Sequence, residues 1–187
     1  QVEFVSANPT GPITVGSTRN AVIGDALAAV LEAAGFDVER EYYVNDAGSQ
    51  VRKFGESLYA RYASALGQDQ PFPEDGYHGE YVTEMAEEIA EREGDRYLDL
   101  SEEDAVRALG ELGIDRMLDQ IRDDLASLRV IFDTWFHERT LYESGLFDEV
   151  MQKLRHAGHI TEREDAVWFT SPQLEDDAVV IRSPQVI

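Results

Sequence analysis

Val2-Glu3-Phe4-Val5-Ser6-Ala7-Asn8-Pro9-Thr10-Gly11-Pro12-Ile13-Thr14-Val15-Gly16-Ser17 decides how the rest of this chain is read. It begins as a short apolar strand, breaks at Asn8-Pro9 and Gly11-Pro12, and releases the chain into a long helix. Pro9 and Pro12 each remove a backbone donor and push the preceding residue toward extended geometry, so the turn is stiff. Gly16 lets a flat ligand approach the backbone where a Cβ would collide. Thr14 or Ser17 can cap the helix, whose unpaired N–H groups and positive dipole end favour an anion. Strand, rigid turn and helix N-terminus together outline a phosphate cradle of the α/β nucleotide-binding kind. A plain Pro/Gly loop between two core elements has the same outline, and the neighbouring chain has to separate the two.

Next comes a helix over 17–34, in which Val22, Ile23, Ala26, Leu27, Val30, Leu31 and Ala34 form one apolar stripe for a sheet to cover. Gly35 reads as its stop. Residues 37–44 read as a strand, with Val38 and the Tyr42-Tyr43-Val44 cluster. Strand, helix, strand is a βαβ unit, which implies a parallel pair and a right-handed crossover. Ligands of such sheets sit outside the carboxyl ends of the strands, which puts 6–10 and Asn45-Asp46 on one rim. Asn45-Asp46-Ala47-Gly48-Ser49-Gln50 is therefore a second candidate site. Asn45 or Asp46 capping a helix over 50–66 is the competing reading, and one residue can do both.

At 67–79 the composition turns polar and proline-broken, the start of an insertion. An acidic amphipathic helix is expected over 80–93, and Ser101 with Asp104 offers a capping box for helix to 128. Val106, Leu109, Met117, Leu118, Ile121, Leu125 and Leu128 form its inner face, and Gly110 and Gly113 mark where it could divide. Residues 130–132 read as a short buried strand, followed by the aromatic pair Trp135-Phe136. Ser144 can cap a helix over 146–156, ended by Gly158. Residues 160–163 and 166–170 read as a hairpin around Glu164-Asp165, and 179–182 as a further strand.

The 187 residues suffice for one domain with a sizeable core, or one domain plus an insertion. A chain 43% hydrophobic and 10% aromatic is globular rather than disordered. No apolar run approaches about 18 residues and no charged-then-apolar leader opens the sequence, so a soluble, cytoplasmic protein is expected. The absence of cysteine excludes disulfides and thiolate metal sites, and His78, His137, His156 and His159 do not suggest a zinc site. Thirty-eight acidic against sixteen basic residues leave a net charge of −22, which opposes nonspecific nucleic-acid binding. That excess fits a solvated acidic surface, with a weak hint of a high-salt cell.

Ala7 to Ser17, preceded by Val2-Glu3-Phe4, closely resembles the signature of bacterial-type arginyl-tRNA synthetases, class I enzymes in which Ala-Asn-Pro-Thr-Gly-Pro leads into His-x-Gly-His. Here Thr14 and Ser17 stand at the two histidines and only Gly16 is retained. Tyr43-Val44-Asn45-Asp46-Ala47-Gly48, Phe132-Asp133-Thr134-Trp135-Phe136, Glu138-Arg139, Leu141-Tyr142-Glu143-Ser144-Gly145, Ala166-Val167-Trp168 and Asp176-Asp177 extend the resemblance in the right order.

The resemblance implies an α/β fold: the first half of a class I synthetase Rossmann-like nucleotide-binding fold carrying a helix-rich α+β insertion. Residues 1–66 would be the half-domain, 67–178 the connective insertion ending in a small hairpin, and 179–187 the start of a strand returning to the catalytic sheet. It implies arginine held by Glu3 and Asn8, with Ser6, Asn45 and Gln50 alongside. ATP would lie on Ala7, Pro9, Thr10, Gly11 and Pro12, with Gly16 beneath the adenine and Thr14 and Ser17 at the catalytic positions. ATP would enter as its Mg2+ complex, with no tightly bound cofactor and no protein metal site. The implied partners are arginine, ATP and the tRNA for arginine, with no membrane, for a monomeric arginine–tRNA ligase.

The family's second half-sheet, lysine-containing phosphate loop and tRNA-binding domains are not among these residues, so the expectation is an incomplete catalytic domain that does not charge tRNA alone. The loss of both histidines favours one alternative, a catalytically silent paralogue acting as a binding or regulatory protein. Glu3, Asn8 and the Asn-Asp-Ala-Gly run argue against another, a class I nucleotidyltransferase for a different carboxylate.

Overall fold

Val2 pairs with Arg40 and Glu3 with Glu41, so that β1 (Val2–Glu3) runs parallel to β2 (Arg40–Val44). The computed structural model describes residues 1–163, 166–170 and 178–181. α1 (Val15–Ala33) joins the two strands, which makes the expected βαβ unit. β3 (Thr134–His137) lies on the far side of β2, giving the order β1-β2-β3.

α1 begins at the Thr14 cap and stops before Gly35, whose φ of +92° suits a residue without a side chain. Its buried face differs from the predicted stripe. Ala21, Gly24 and Ala28 are buried, whereas Val22, Ile23, Leu27 and Val30 are each more than half exposed. The cause is close approach: a Cβ at Gly24 would run into the ring of Phe4, so only the smallest residues of α1 can face the chain beyond β1.

α2 (Ser49–Ala65), α3 (Glu80–Glu93) and α4 (Glu102–Ser127) share one core with the sheet. Phe54, Leu58 and Tyr62 of α2 are fully buried, with Val82, Ala86 and Ile89 of α3 and Leu109, Met117 and Ile121 of α4. Ser101 caps α4 as predicted, its hydroxyl accepting from the Asp104 amide at 3.2 Å. The helix does not divide at its glycines. Gly55 of α2 and Gly110 and Gly113 of α4 sit where the two helices meet, and a Cβ on Gly55 would overlap the Val106 carbonyl. The expense of glycine inside a helix, about 1 kcal/mol each, is offset by the packing that this proximity allows. Leu128, expected on the inner face, is instead a partly exposed C-cap.

Residues 130–132 form no strand. Val130 and Phe132 are buried while Ile131 faces out, and pairing with β2 starts one residue later. There Asp133 donates its amide to the Arg40 carbonyl at 3.0 Å and accepts the Arg40 amide on its carboxylate at 2.8 Å. Phe132 lies 4.5 Å from Phe4, and Trp135 stacks on Tyr42 at 4.3 Å.

The chain forms two compact units, 1–136 and 137–187, where the sequence reading placed a boundary at 66/67. Helices expected to belong to an insertion therefore share the core of the first unit. The second unit contains α5 (Arg139–Glu143), which the sequence reading lacks, α6 (Leu146–His156), and an antiparallel sheet of β4 (Ile160–Arg163), β5 (Ala166–Phe169) and β6 (Ala178–Ile181). The N-cap of α6 is Gly145 at φ +74°, not Ser144, whose hydroxyl accepts only a long 3.4 Å bond from the Leu146 amide. β4 and β5 form the expected hairpin, whose turn at 164–165 lies outside the described residues, as do Asp176-Asp177 and 182–187. β6 pairs antiparallel with β5.

Candidate active site

Beyond β1 the chain turns sharply. Val5 and Ser6 adopt φ of +65° and +40°, and the Ser6 amide donates to the Phe4 carbonyl at 2.9 Å. The Ser6 hydroxyl accepts from the Tyr43 amide of β2 at 3.0 Å and donates to the Glu3 carboxylate. An exposed carboxylate is thus held by a hydroxyl that is itself fixed to the sheet.

Asn8, Asn45 and Gln50 meet at the carboxyl ends of β1 and β2. Asn45 donates its side-chain amide to Asn8 Oδ1 at 3.2 Å, and Asn8 donates to Gln50 Oε1 at 2.8 Å. The rim predicted from the βαβ unit therefore exists. The competing reading of Asn45 or Asp46 as a helix cap does not: Gly48, at φ +83°, is the N-cap of α2, with no side-chain bond. A chain of amides beside a carboxylate presents donors and acceptors together, as recognition of a charged amino acid requires.

Tyrosine hydroxyls fix the intervening loop by its carbonyls. Tyr42 of β2 donates to the Ala7 carbonyl at 2.8 Å, and Tyr81 of α3 to the Thr10 carbonyl at 2.7 Å. Burial pushes the Tyr42 phenol up to about 12, the Ala7 bond partly offsetting it, and burial also raises Tyr81. Both are neutral donors at ordinary pH. Pro9 and Thr10 are buried, so they contribute loop shape and main chain rather than exposed side chains. Gly11 is among the residues the resemblance places under ATP. A Cβ there would lie 3.1 Å from the Tyr81 hydroxyl, so the space is taken by Tyr81.

At the start of α1, Thr14 Oγ1 accepts the Ser17 amide at 3.2 Å and lies 3.1 Å from Ser17 Oγ. Two hydroxyls thus share the exposed end of a 19-residue helix. Beside Gly16 a Cβ would meet only Thr14 Oγ1, at 3.5 Å. Among the described residues no group of three His, Cys, Asp or Glu is placed to hold a metal ion.

Sequence reasoning missed Asn20, Tyr42 and Tyr81. Asn20 Oδ1 accepts the Val5 amide at 2.7 Å, and Tyr81 reaches Thr10 across 71 positions. Only for Tyr42 was there a signal, its place in a strand beside the rim.

A profile of the family described as tRNA synthetases class I (R), catalytic domain, matches residues 1–181. The arginine–tRNA ligase of Dehalococcoides mccartyi is 50% identical over 185 residues, covering 98% of this chain and 33% of that protein. That of Geobacillus thermodenitrificans is 49% identical over 177 residues, covering 95% and 32%. A solved structure from Campylobacter jejuni, assigned as an arginyl-tRNA synthetase, superposes with a TM-score of 0.80 at 34% identity, over 96% of this chain and 40% of that one. The Thermus thermophilus arginyl-tRNA synthetase gives 0.62 at 26% identity, over 97% and 32%. The chain thus spans about a third of the length of the curated relatives it matches. Its α/β architecture is the Rossmann-like one of these neighbours, and it belongs to the class I (R) tRNA synthetase catalytic-domain family.

Proposed function

We propose that these residues form the arginine- and ATP-facing half of the active site of an arginine–tRNA ligase. The observation that carries this reading is the linked set Asn45–Asn8–Gln50 beside Ser6–Glu3 at the strand ends. Glu3 supplies a carboxylate for a guanidinium, and the amides supply donors and acceptors for the amino-acid backbone. ATP, as its Mg2+ complex, lies along Ala7 to Pro12, with its adenine over the open flank of Gly16. In the first step the arginine carboxylate attacks the α-phosphorus, a carboxyl–phosphate bond forms, and pyrophosphate leaves. In the second, a ribose hydroxyl at the tRNA terminus attacks the activated carbonyl and AMP leaves. The protein contributes position and charge stabilisation, with Thr14 and Ser17 donating hydroxyls toward phosphate oxygens. The reaction would take place in the cytoplasm; no helix of the described residues is long and apolar enough to cross a membrane.

Arginine-dependent ATP–pyrophosphate exchange by the full-length protein tests this. Exchange with arginine but not lysine or glutamine is expected, and its absence favours the silent, binding-only paralogue suggested by hydroxyls where the family signature has imidazoles. Thr14→His with Ser17→His should raise the exchange rate about a hundredfold, the scale of one restored charge-assisted contact in a transition state. An unchanged rate would mean that this site works without imidazoles.

A further inference from the structure

Val5 and Ser6 are consecutive residues in left-handed backbone, and a β-branched valine there is an outlier. The Ser6 amide closes a three-residue turn onto the Phe4 carbonyl at 2.9 Å, a turn of the rare, strained hand. Its effect on the sheet follows from the register. Val2 faces Arg40 and Glu3 faces Glu41, and the amides of Val2 and Phe4 donate to the carbonyls of Glu39 and Glu41. Continued as a parallel ladder, the Tyr43 amide would donate to the Phe4 carbonyl. The turn gives that carbonyl to Ser6, and the Tyr43 amide takes the Ser6 hydroxyl instead, at 3.0 Å. Ser6 then lies against the Glu3 carboxylate.

Strain of this kind persists only where the surroundings over-determine it. Here the Val5 amide, which by strand alternation points away from β2, is received by Asn20 Oδ1 on α1 at 2.7 Å. We propose that Asn20 is a positioning residue for the amino-acid site: it holds the Val5 turn, and through it the Ser6 hydroxyl that orients Glu3. This rests on reading Glu3 and Ser6 as arginine contacts. Losing the acceptor lets Val5 relax toward extended backbone, and the plain ladder reforms at the expense of the Ser6–Glu3 pair.

The test uses the full-length protein with Asn20→Leu, Asn20→Asp and the double variant Val5→Gly with Asn20→Leu. Asn20→Leu should raise the KM for arginine about tenfold, the scale of one lost hydrogen bond in a coupled set, and leave the KM for ATP little changed. Asn20→Asp should restore the arginine KM, because a carboxylate oxygen accepts the same amide. The double variant should recover part of it, because glycine takes positive φ without strain. Hydrogen exchange at the Val5 amide should be slow in the parent and in Asn20→Asp, and fast in Asn20→Leu. Asn20→Ala replaces Asn20→Leu if the latter does not fold.

A helix-docking role alone would lower the melting temperature and move both KM values together or neither; either result, or failure of Asn20→Asp to restore, overturns the proposal. A parent without arginine-dependent exchange overturns the reading of the site itself, while Val5 amide exchange still reports on the turn.

Discussion

The loop between β1 and α1 and the crossing of α2 over α4 both bring backbone into close quarters, by opposite means. At the crossing, Gly55, Gly110 and Gly113 remove side chains so that two helices touch across an apolar seam of Phe54, Leu58 and Leu109. In the loop, side chains remain and the backbone is held by single polar contacts: Tyr42 on Ala7, Tyr81 on Thr10, Asn20 on Val5. Removing one loop contact costs about 1 kcal/mol and releases a loop carbonyl or amide, whereas adding one methyl group at the crossing costs more. Stability is concentrated in the first region and geometry in the second.

The largest expected effect tests the crossing. In Gly55→Ala the new Cβ meets the Val106 carbonyl, a backbone atom that cannot rotate away. Overpacking against backbone costs about 3 kcal/mol or more, of which the better helix propensity of alanine returns about 1. Urea denaturation should show a net loss of about 2 kcal/mol or more, with unchanged substrate KM values in whatever protein remains folded. A loss smaller than that of a loop variant would erase the contrast.

A comparable effect on the loop side appears only at high pH. Tyr42 ionises near 10.0 when exposed and at about 12 in the folded chain, because burial disfavours its anion. The folded pKa is the higher one, so the stabilisation is intact below pH 10 and is lost as pH rises from 10 to about 12. Across that window the loss amounts to about 2–3 kcal/mol. Tyr42→Phe should lack that share of the alkaline decline, while losing about 1 kcal/mol near neutrality with the Ala7 bond. Parallel stability curves for the parent and Tyr42→Phe between pH 9 and 12 would show that the phenol is not buried as described.

How much was legible in the sequence divides along the same line. Periodicity predicts a helix over 80–93, and Glu80–Glu93 forms it; Ser101 with Asp104 predicts a cap, and the Ser101 hydroxyl accepts the Asp104 amide and donates to its carboxylate. These are local features, decided within a turn or two. The α1 stripe and the split of α4 were misread because which face is buried depends on Phe4 and Leu58, residues far along the chain. Gly24 and Gly113 look like weak points in a helix until the partner that fills their space is known. The rim of Asn8, Asn45 and Gln50 was legible because a parallel pair forces both strand ends to one side. Asn20 and Tyr81 were not, because a side-chain bond to a distant carbonyl or amide leaves no periodic trace.

Two caps carry the comparison to its smallest effect. Thr14 and Ser101 each accept the amide three residues on, both at 3.2 Å, at the starts of α1 and α4. Chemically they are the same device, so Thr14→Ala and Ser101→Ala should each cost about 1 kcal/mol in denaturant. The difference lies in what surrounds them. Ser101 also donates to the Asp104 carboxylate at 2.7 Å, on an acidic helix start that repels phosphate. The Thr14 hydroxyl lies beside the Ser17 hydroxyl, Thr18 donates to the Thr14 carbonyl, and the first turn of α1 contains no acid. A helix end without carboxylates keeps its positive dipole for an incoming anion, whereas one with three has already neutralised it. Thr14→Ala should therefore lower the ATP–pyrophosphate exchange rate about fivefold, the order of one neutral hydrogen bond, while Ser101→Ala leaves it unchanged. Equal losses of exchange in the two variants would mean that the α1 terminus serves only to start a helix.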